Sequence, residues 1–397
     1  MPGNFYSPEG DLEKYFITES WLIDQYVGDQ LWVWGRSVYG KLGTNSGFNN
    51  VSTPATTFAG GNTWEQVSMA QFHTAAIKSD GSLWVWGRNQ NARLGDNTTV
   101  DKLTPVTTFA GGNDWKQVSC GANHTTAIKT DGSLWIWGLG TYGRLGNNAV
   151  TDRSTPVTTF AGGTNWKQVA GGASHTAAIK TDGTLWTWGQ GGSGLLGNNN
   201  IDNVSTPVTT FAGGTNWKQV STTSLFTSAI KSDGSLWVWG RNNVCQLGIN
   251  DTTNRSTPVT TFAGGTNWKQ VAGGGGHVAA IKTDGTLWLW GTGTNGTLGN
   301  NAGTNRSTPV TTFAGGTNWK QVSCGSFNTA AIKTDGTLWI WGSGSVSISP
   351  QLGTNDTINR STPVTTFAGG SDWKLISYGD TSVSAIKSGT NPELPLS

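Results

Sequence analysis

Short runs of apolar and polar residues in alternation punctuate the chain, and no stretch carries a helical 3.6-residue period of any length. The runs are of four kinds and always follow one another in the same order: Trp-Lys-Gln-Val, Thr-Ala-Ala-Ile-Lys, Leu-Trp-x-Trp and Pro-Val-Thr-Thr-Phe. Rich in β-branched and aromatic residues and bounded by Gly, Asn, Asp, Ser or Thr, they read as strands A, B, C and D. B and C are joined by Thr-Asp-Gly-Thr or Ser-Asp-Gly-Ser, whose Asp-Gly supplies the positive φ of a tight hairpin. In strand C the two Trp face one side of the sheet while Leu and the intervening residue face the other.

The four-strand unit repeats. Leu-Trp-x-Trp-Gly begins at Leu31, Leu83, Leu134, Leu185, Leu236, Leu287 and Leu338, with spacings of 52 and then 51. Thr-Pro-(Val/Ala)-Thr-Thr-Phe-Ala-Gly-Gly recurs from Thr53 to Thr362, the strand-A Trp from Trp64 to Trp373, and Ile-Lys from Ile77-Lys78 to Ile386-Lys387. Four antiparallel strands in a unit of roughly 50 residues make a propeller blade. The predicted fold is all-β, a seven-bladed β-propeller over residues 31–390, with a segment 1–30 before it and a tail 391–397 after it. The chain begins with a lone C (Leu31–Trp34) and D (Pro54–Phe58) and ends with a lone A (Trp373–Ile376) and B (Val383–Lys387). The halves are complementary, so one blade is stitched from both, which closes the ring and hides its strand edges. Of the 22 Trp, 21 fall at three positions per repeat and are assigned to packing between blades; Trp21 is the remaining one.

A meander puts the A–B and C–D loops at one end of the ring and the B–C and D–A loops at the other. Comparing the copies with one another, the B–C and D–A loops are nearly invariant, whereas the A–B and C–D loops change in almost every copy. The C–D connections are long, about 17 residues, which favours function. The variable end is therefore the candidate binding face, represented by Arg36, Tyr39, Arg88, Gln90, Arg93, Tyr142, Arg144, Leu225, Phe226, Arg241, Val244, Phe327, Val346 and Ile348.

Charge alters this picture in one place. The chain carries 12% charged residues and a net +2, too balanced for a nucleic-acid or membrane footprint. Residues 1–30, however, hold Glu9, Asp11, Glu13, Glu19, Asp24 and Asp29 against Lys14 alone. The same segment is dense in Phe5, Tyr6, Tyr15, Phe16, Trp21, Ile23 and Tyr26, too apolar for a disordered tail, and reads either as a short helix or strand against the ring or as a docking arm onto a larger assembly. No apolar run approaches a membrane span, and the N-terminus shows no secretory signal. Cys120, Cys245 and Cys324 have no disulfide or zinc spacing. His73, His124, His175 and His277 share one repeat position where other copies have Phe226, Asn328 and Ser382, which points to a structural hydrogen bond within the blade. No catalytic, cofactor or metal motif emerges, so the chain is read as a binding protein without cofactors and not as an enzyme.

The stretch Gly121–Gly146, with its Gly-x-x-His-Thr-x-Ala-Ile-Lys-x-Asp-Gly-x-Leu-Trp-x-Trp-Gly and closing Leu-Gly, resembles the repeat of the regulator of chromosome condensation family. That resemblance spans residues 31–387 and implies a seven-bladed propeller with a protein-binding ring surface. Within the family it implies functions as different as nucleotide exchange on a small GTPase, ultraviolet sensing in plants and β-lactamase inhibition. The chain departs from the exchange factor in lacking a basic tail and an evident wedge insertion. It looks more like the Asn/Thr/Gly-rich bacterial and phage-encoded propellers. The expected function is thus a virion structural or host-adhesion component, anchored through the arm, located on a virion or outside the cell, with protein partners. The alternatives are a soluble, cytoplasmic protein-binding scaffold or inhibitor, and a glycan-binding lectin.

Overall fold

The computed structural model describes residues 28–46, 48–346 and 349–389. The seven arm residues Phe5, Tyr6, Tyr15, Phe16, Trp21, Ile23 and Tyr26, the tail 391–397, and Ile348 lie outside the described residues. Seven four-stranded antiparallel sheets form a ring. Blades 1 to 6 span residues 64–107, 115–158, 166–209, 217–260, 268–311 and 319–365, each in the order A-B-C-D. Successive A strands touch one another all the way round, so A is the innermost strand and D the outermost.

Blade 7 is the stitched one. Its strands C (Gly28–Gly35) and D (Val51–Thr56) come from the start of the ring, and A (Trp373–Gly379) and B (Ser382–Gly389) from its end. Pairing runs unbroken from Gly28 opposite Gly389, through Leu31 opposite Ile386, to Gly35 opposite Ser382. The hairpin turn present in the other blades is replaced by this long two-ended clasp.

Two strand boundaries differ from the expectation. Strand A runs on to the residue before the loop, as in Trp115–Cys120. Strand D begins earlier and stops short of its Phe, as in Lys102–Thr107, leaving Phe109 exposed. The register slips between Val85 and Gly87, and Pro105 sits in strand D because an outermost strand can spare one N–H. Each C–D connection is pinned at its base. Asn50, Asp101, Asp152, Asn203, Asn254, Asn305 and Asn359 each accept a hydrogen bond of 2.7–3.1 Å from the second backbone N–H of their own loop. The longest C–D loop adds a two-stranded ribbon, Ser345–Val346 with Ser349–Pro350.

The core lies between blades, as expected from the alternation. Ile77, Leu83 and Val85 of blade 1 pack against Trp115, Val118 and Trp137 of blade 2, and the pattern recurs round the ring. Inside each blade the three Trp form an edge-to-face cluster; Trp115 lies 6.3 Å from Trp135 and 6.2 Å from Trp137. The Lys of Ile-Lys covers the first two rings, with Lys129 Nζ at 4.8 and 5.1 Å from their centroids. That arrangement buries the lysine's methylene stem while its charge faces the π clouds.

Nearly every indole N–H is satisfied locally. Trp115 donates to Gly111 O, Trp135 to the turn residue Ser133, and Trp137 to Arg93 O of the preceding blade, all at 2.8–2.9 Å. Trp32 is an exception: the turn Ser or Thr that would accept from it is missing because the hairpin of blade 7 is cut there, and among the described residues its Nε1 has no partner.

The clasp yields a prediction. Ile386 is buried on the strand that closes blade 7, so Ile386→Ala is expected to destabilise the ring by about 2–5 kcal/mol. Phe367→Ala, at a site 68% exposed, is expected to change stability by less than about 0.5 kcal/mol. Denaturant midpoints of the two variants measure both.

Candidate protein-binding face

The variable loops rest on a polar joint between neighbouring blades. In blade 1, Thr74 Oγ1 and Trp86 Nε1 both donate to the carbonyl of Lys41 in the C–D loop of blade 7, at 2.7 and 2.9 Å. The carbonyls of Arg93, Arg144, Leu195 and Thr297 receive the same pair of donors from the blade after theirs. The four His complete this joint. His73, His124, His175 and His277 are fully buried, and each Nε2 lies 2.7–2.9 Å from Thr125, Thr176, Thr227 or Thr329 of the next blade. Because those Thr hydroxyls already donate to a carbonyl, the imidazole Nε2 must carry the hydrogen, and Nδ1 is left as a bare acceptor with no partner among the described residues. The bond therefore crosses between blades, and does not lie within one as the sequence suggested.

The expected face residues divide into surface and support. Arg88 is half-buried, its guanidinium 4.4 Å above the Tyr39 ring and 5.2 Å from Phe72, and it donates to exposed Gln90. Tyr142, Arg241 and Phe327 are exposed, and Arg36, Tyr39, Leu225 and Val244 are half-buried. Val346 belongs to the ribbon of the last C–D loop. Three expectations are corrected. Arg93 and Arg144, at 1% and 2% exposure, are not on the surface. Arg144 is tucked beneath an A–B loop, donating to Thr141 O and Ala173 O, and Arg93 donates to Asn91 and stacks 5.1 Å from Phe72. Phe226 is fully buried because it occupies the His position of its blade.

Two residues of this face escaped the sequence reading. Phe72 lies between Arg88 and Arg93. Lys41 is fully buried, and its Nζ donates to Gln71 O at 3.2 Å. Burial brings its pKa down to about 8, and burial brings Arg93 and Arg144 to about 10, so all three stay cationic at neutral pH. Blades 7, 1 and 2 thus set Arg88, Arg93 and Arg144 against Tyr39, Phe72 and Tyr142, with Arg36 and Lys41 in the C–D loop that carries Tyr39. Among the described residues none of these five cations forms an ion pair. Beside them, at the ring axis, a depression of about 180 Å³ is lined by strand-A ends such as Met69, Cys120, Thr222 and Tyr378. Among the described residues no group of three or more His, Cys, Asp or Glu is placed to hold a metal ion, and no helix is long and apolar enough to cross a membrane.

Residues 30–389 match the family description RCC1-like domain. The chain belongs to the RCC1-like family. It is 34% identical over 288 residues to the ultraviolet-B receptor UVR8 of Arabidopsis thaliana, covering 71% of this chain and 65% of the receptor. It is 29% identical over 351 residues to the mitochondrial RCC1 domain-containing protein RUG3 of the same plant, covering 79% and 77% of the two chains. In structure it is similar to human WBSCR16, with a TM-score of 0.79 at 20% identity over 91% of this chain and 99% of that one. It is also similar to Prp20p of Saccharomyces cerevisiae, with a TM-score of 0.77 at 18% identity over 93% and 94%. These two share the fold. The relatives named here are plant, human and yeast proteins, and nothing in them points to a bacterial or phage type.

Within this RCC1-like ring the His joint follows a pairing rule written in the sequence. His73, His124, His175 and His277 each face a Thr, whereas Phe226 precedes Val278 and Asn328 precedes Val383 at the same positions. Where the next blade lacks the hydroxyl, the imidazole is absent too. This co-variation between copies was available in the sequence and is the signal that would have placed Phe226 inside.

The same joint makes the ring sensitive to acid. Burial holds all four imidazoles below their usual pKa, His175 at about 4 and His277 at about 3. The unfolded chain takes up protons near pH 6.5 that the folded chain refuses, so stability is full above that pH and falls as pH drops toward 4. Each His contributes a slope of about 1.4 kcal/mol per pH unit in that window. His277→Phe combined with Thr329→Val, which copies the Phe226–Val278 junction, is expected to remove one such increment. Urea midpoints between pH 7 and pH 4 measure it, and parallel curves for variant and wild type refute it.

Proposed function

We propose that this chain is a non-catalytic protein-binding ring, a scaffold or inhibitor, that receives its partner on the A–B/C–D face across blades 7, 1 and 2. The observation that carries the reading is the set of Arg88, Arg93 and Arg144 against three aromatic rings, with Arg36 and Lys41 in the adjoining loop and no ion pair to any of the five among the described residues. Arg and aromatic residues are the groups that dominate protein interfaces, and Arg88 is already ordered by Tyr39, so little side-chain entropy is lost when it docks. Asp101, Asp152 and Asp380 act on Arg93, Arg144 and Lys41 from beyond ion-pair distance, and an anionic protein surface adds the direct contacts that Arg88 lacks, opposite potentials guiding its approach.

Family membership supports this reading over a particle component or a lectin. A relative 34% identical is a receptor, and Prp20p is described by its binding to Gsp1p and histones; both statements concern those proteins. The relatives lend no support to a virion, adhesion or glycan-binding role, or to a virion or extracellular location. We therefore carry forward the scaffold alternative, working inside a cell.

Quantitative affinity capture with the immobilised full-length chain tests it. The double variant Arg88→Glu, Tyr142→Ala is expected to lose at least about tenfold of its specific partner, the scale of a disrupted hot spot. The loss should shrink at high salt, where the charge term is screened. Lys218→Ala, at the opposite end of the ring, is expected to bind as wild type. Equal retention by the double variant removes the face from the reading.

A further inference from the structure

The junction between blade 7 and blade 1 carries fewer cross-blade ties than its neighbours, and the reasons lie in the sequence. Near the ring axis a strand-A Gln reaches across each of the other six junctions. Gln117 Nε2 donates to Val169 O and its Oε1 accepts from Val169 N, both at 3.1 Å. Gln66, Gln168, Gln219, Gln270 and Gln321 accept in the same way from the next blade at 2.9–3.2 Å. The seventh residue of this set is Leu375, which has no polar side-chain atom to offer blade 1. At the B–C/D–A end, the N–H that opens strand A donates to a hairpin glycine of the preceding blade, as Trp115 does to Gly81 O at 3.1 Å. Blade 7 has no such hairpin, and Asp29 N donates to Asn62 O there instead. Like the Phe226 and Asn328 junctions, this one also has no imidazole: Ser382 takes the His position and donates to Arg36 O of its own blade.

The outer side of the ring agrees. Asn97, Asn148, Asn199, Asn250 and Asn301 each donate a backbone N–H to strand D of the next blade at 2.9 Å, whereas Asn45 N lies 3.3 Å from Leu103 O. The other flank of blade 7, Asn355 N to Ser52 O, is also at 3.3 Å, but it keeps the Gln321 contact and a bond from Trp373 N to Gly336 O. The apolar filling between blades 7 and 1 is divided. Leu31 and Ile386 pack with Trp64, Val67, Ala76 and Trp86, while Val33, Leu42 and Met69 form a separate small cluster. What still crosses is the pair of donors to Lys41 O, the bond from Lys41 Nζ to Gln71 O, and that from Met69 N to Ser377 Oγ at 3.0 Å. Within blade 7, by contrast, the clasp is paired without a break from Gly28 to Gly35. The stitched blade is held to itself more firmly than to its successor.

We propose that the 7–1 junction is a seam, which parts reversibly and short of global unfolding while the clasp of blade 7 stays paired. Proteins open first where the fewest interactions resist, and the D–A connection, residues 57–63, keeps the two edges tethered. Arg36, Tyr39 and Lys41 stand on the blade 7 side of the seam, and Phe72 and Arg88 on the blade 1 side. The proposed face is therefore complete only while the seam is shut, so parting switches it off. That consequence rests on the proposed function; the seam itself does not.

Residue-resolved hydrogen exchange of the full-length chain, without any partner, tests this on equivalent amides. Met69 N, Cys120 N and Gly171 N each donate to a Ser of the preceding blade, across the 7–1, 1–2 and 2–3 junctions. Met69 and Asn45 are expected to be about tenfold less protected than Cys120 and Asn97, the factor that one hydrogen bond sets. The amides of Leu31–Trp34 are expected to match those of strand C in the other blades. Leu375→Gln, which supplies the absent amide, is expected to raise Met69 and Asn45 to the protection of their counterparts. The converse variant, Gln117→Leu, is expected to lower Gly171 to the level of Met69. Equal protection at all seven junctions overturns the seam, and so does exchange of the clasp in step with Met69. Unchanged protection in both variants overturns the Gln ties as its origin. Partner capture by the Arg88→Glu double variant reads the face and exchange of the free chain reads the seam, so the two fail separately.

Discussion

One backbone carbonyl per blade junction holds the variable end of this ring in place. The residue before Leu-Gly in each C–D loop presents its C=O to the next blade, and from blade 7 through blade 5 that oxygen receives an indole N–H. At Lys41, Arg93, Arg144, Leu195 and Thr297 it receives a Thr hydroxyl as well. A carbonyl has two lone pairs, and two good donors saturate it in a dry site where leaving either unmade would be costly. The demand falls on the backbone, so the side chain at that position is free to be Lys, Arg, Leu, Gln or Thr. Each loop is thereby fixed at its foot to the neighbouring blade while its tip changes from copy to copy.

The same arrangement explains why two face residues are hidden. Arg93 and Arg144 stand at the carbonyl position, so their backbones are locked against the next blade and their guanidinium groups run back under the A–B loops. Their charge reaches the surface as a field and not as a contact. Arg88, five residues before Arg93, makes the surface contacts, stacked on Tyr39 and Phe72 from two different blades. The cationic sector is therefore a joint product of three neighbouring blades.

The architecture was legible because a fixed spacing and a fixed order of strand types leave one arrangement. The complementary halves at Leu31–Trp34 and Val383–Lys387 even located the stitched blade. The candidate face was legible only as a region. Differences among copies mark which loops are free to change, but a buried Arg93 and an exposed Tyr142 vary alike, because neither position is held by its own side chain. Depth in a long loop is set by where the loop folds back, and local pattern does not encode that. The reach of strand D was misjudged too: its ladder ends where Thr107 pairs with Trp84, and Phe109, two residues further on, lies beyond it and exposed.

The alternation of hydroxyl-bearing and apolar partners at the junctions also bears on how a ring of near-copies keeps its count. Blades this similar invite exchange of one for another, either during folding or when a repeat unit is gained or lost. Phe226 meets Val278 while His277 meets Thr329. Excising the blade between them would bring an aromatic ring against a hydroxyl and strand that hydroxyl's neighbours. The junctions from blade 4 to blade 7 accept their own successors best, whereas His73, His124 and His175 all meet a Thr, so the order is written into one half of the ring.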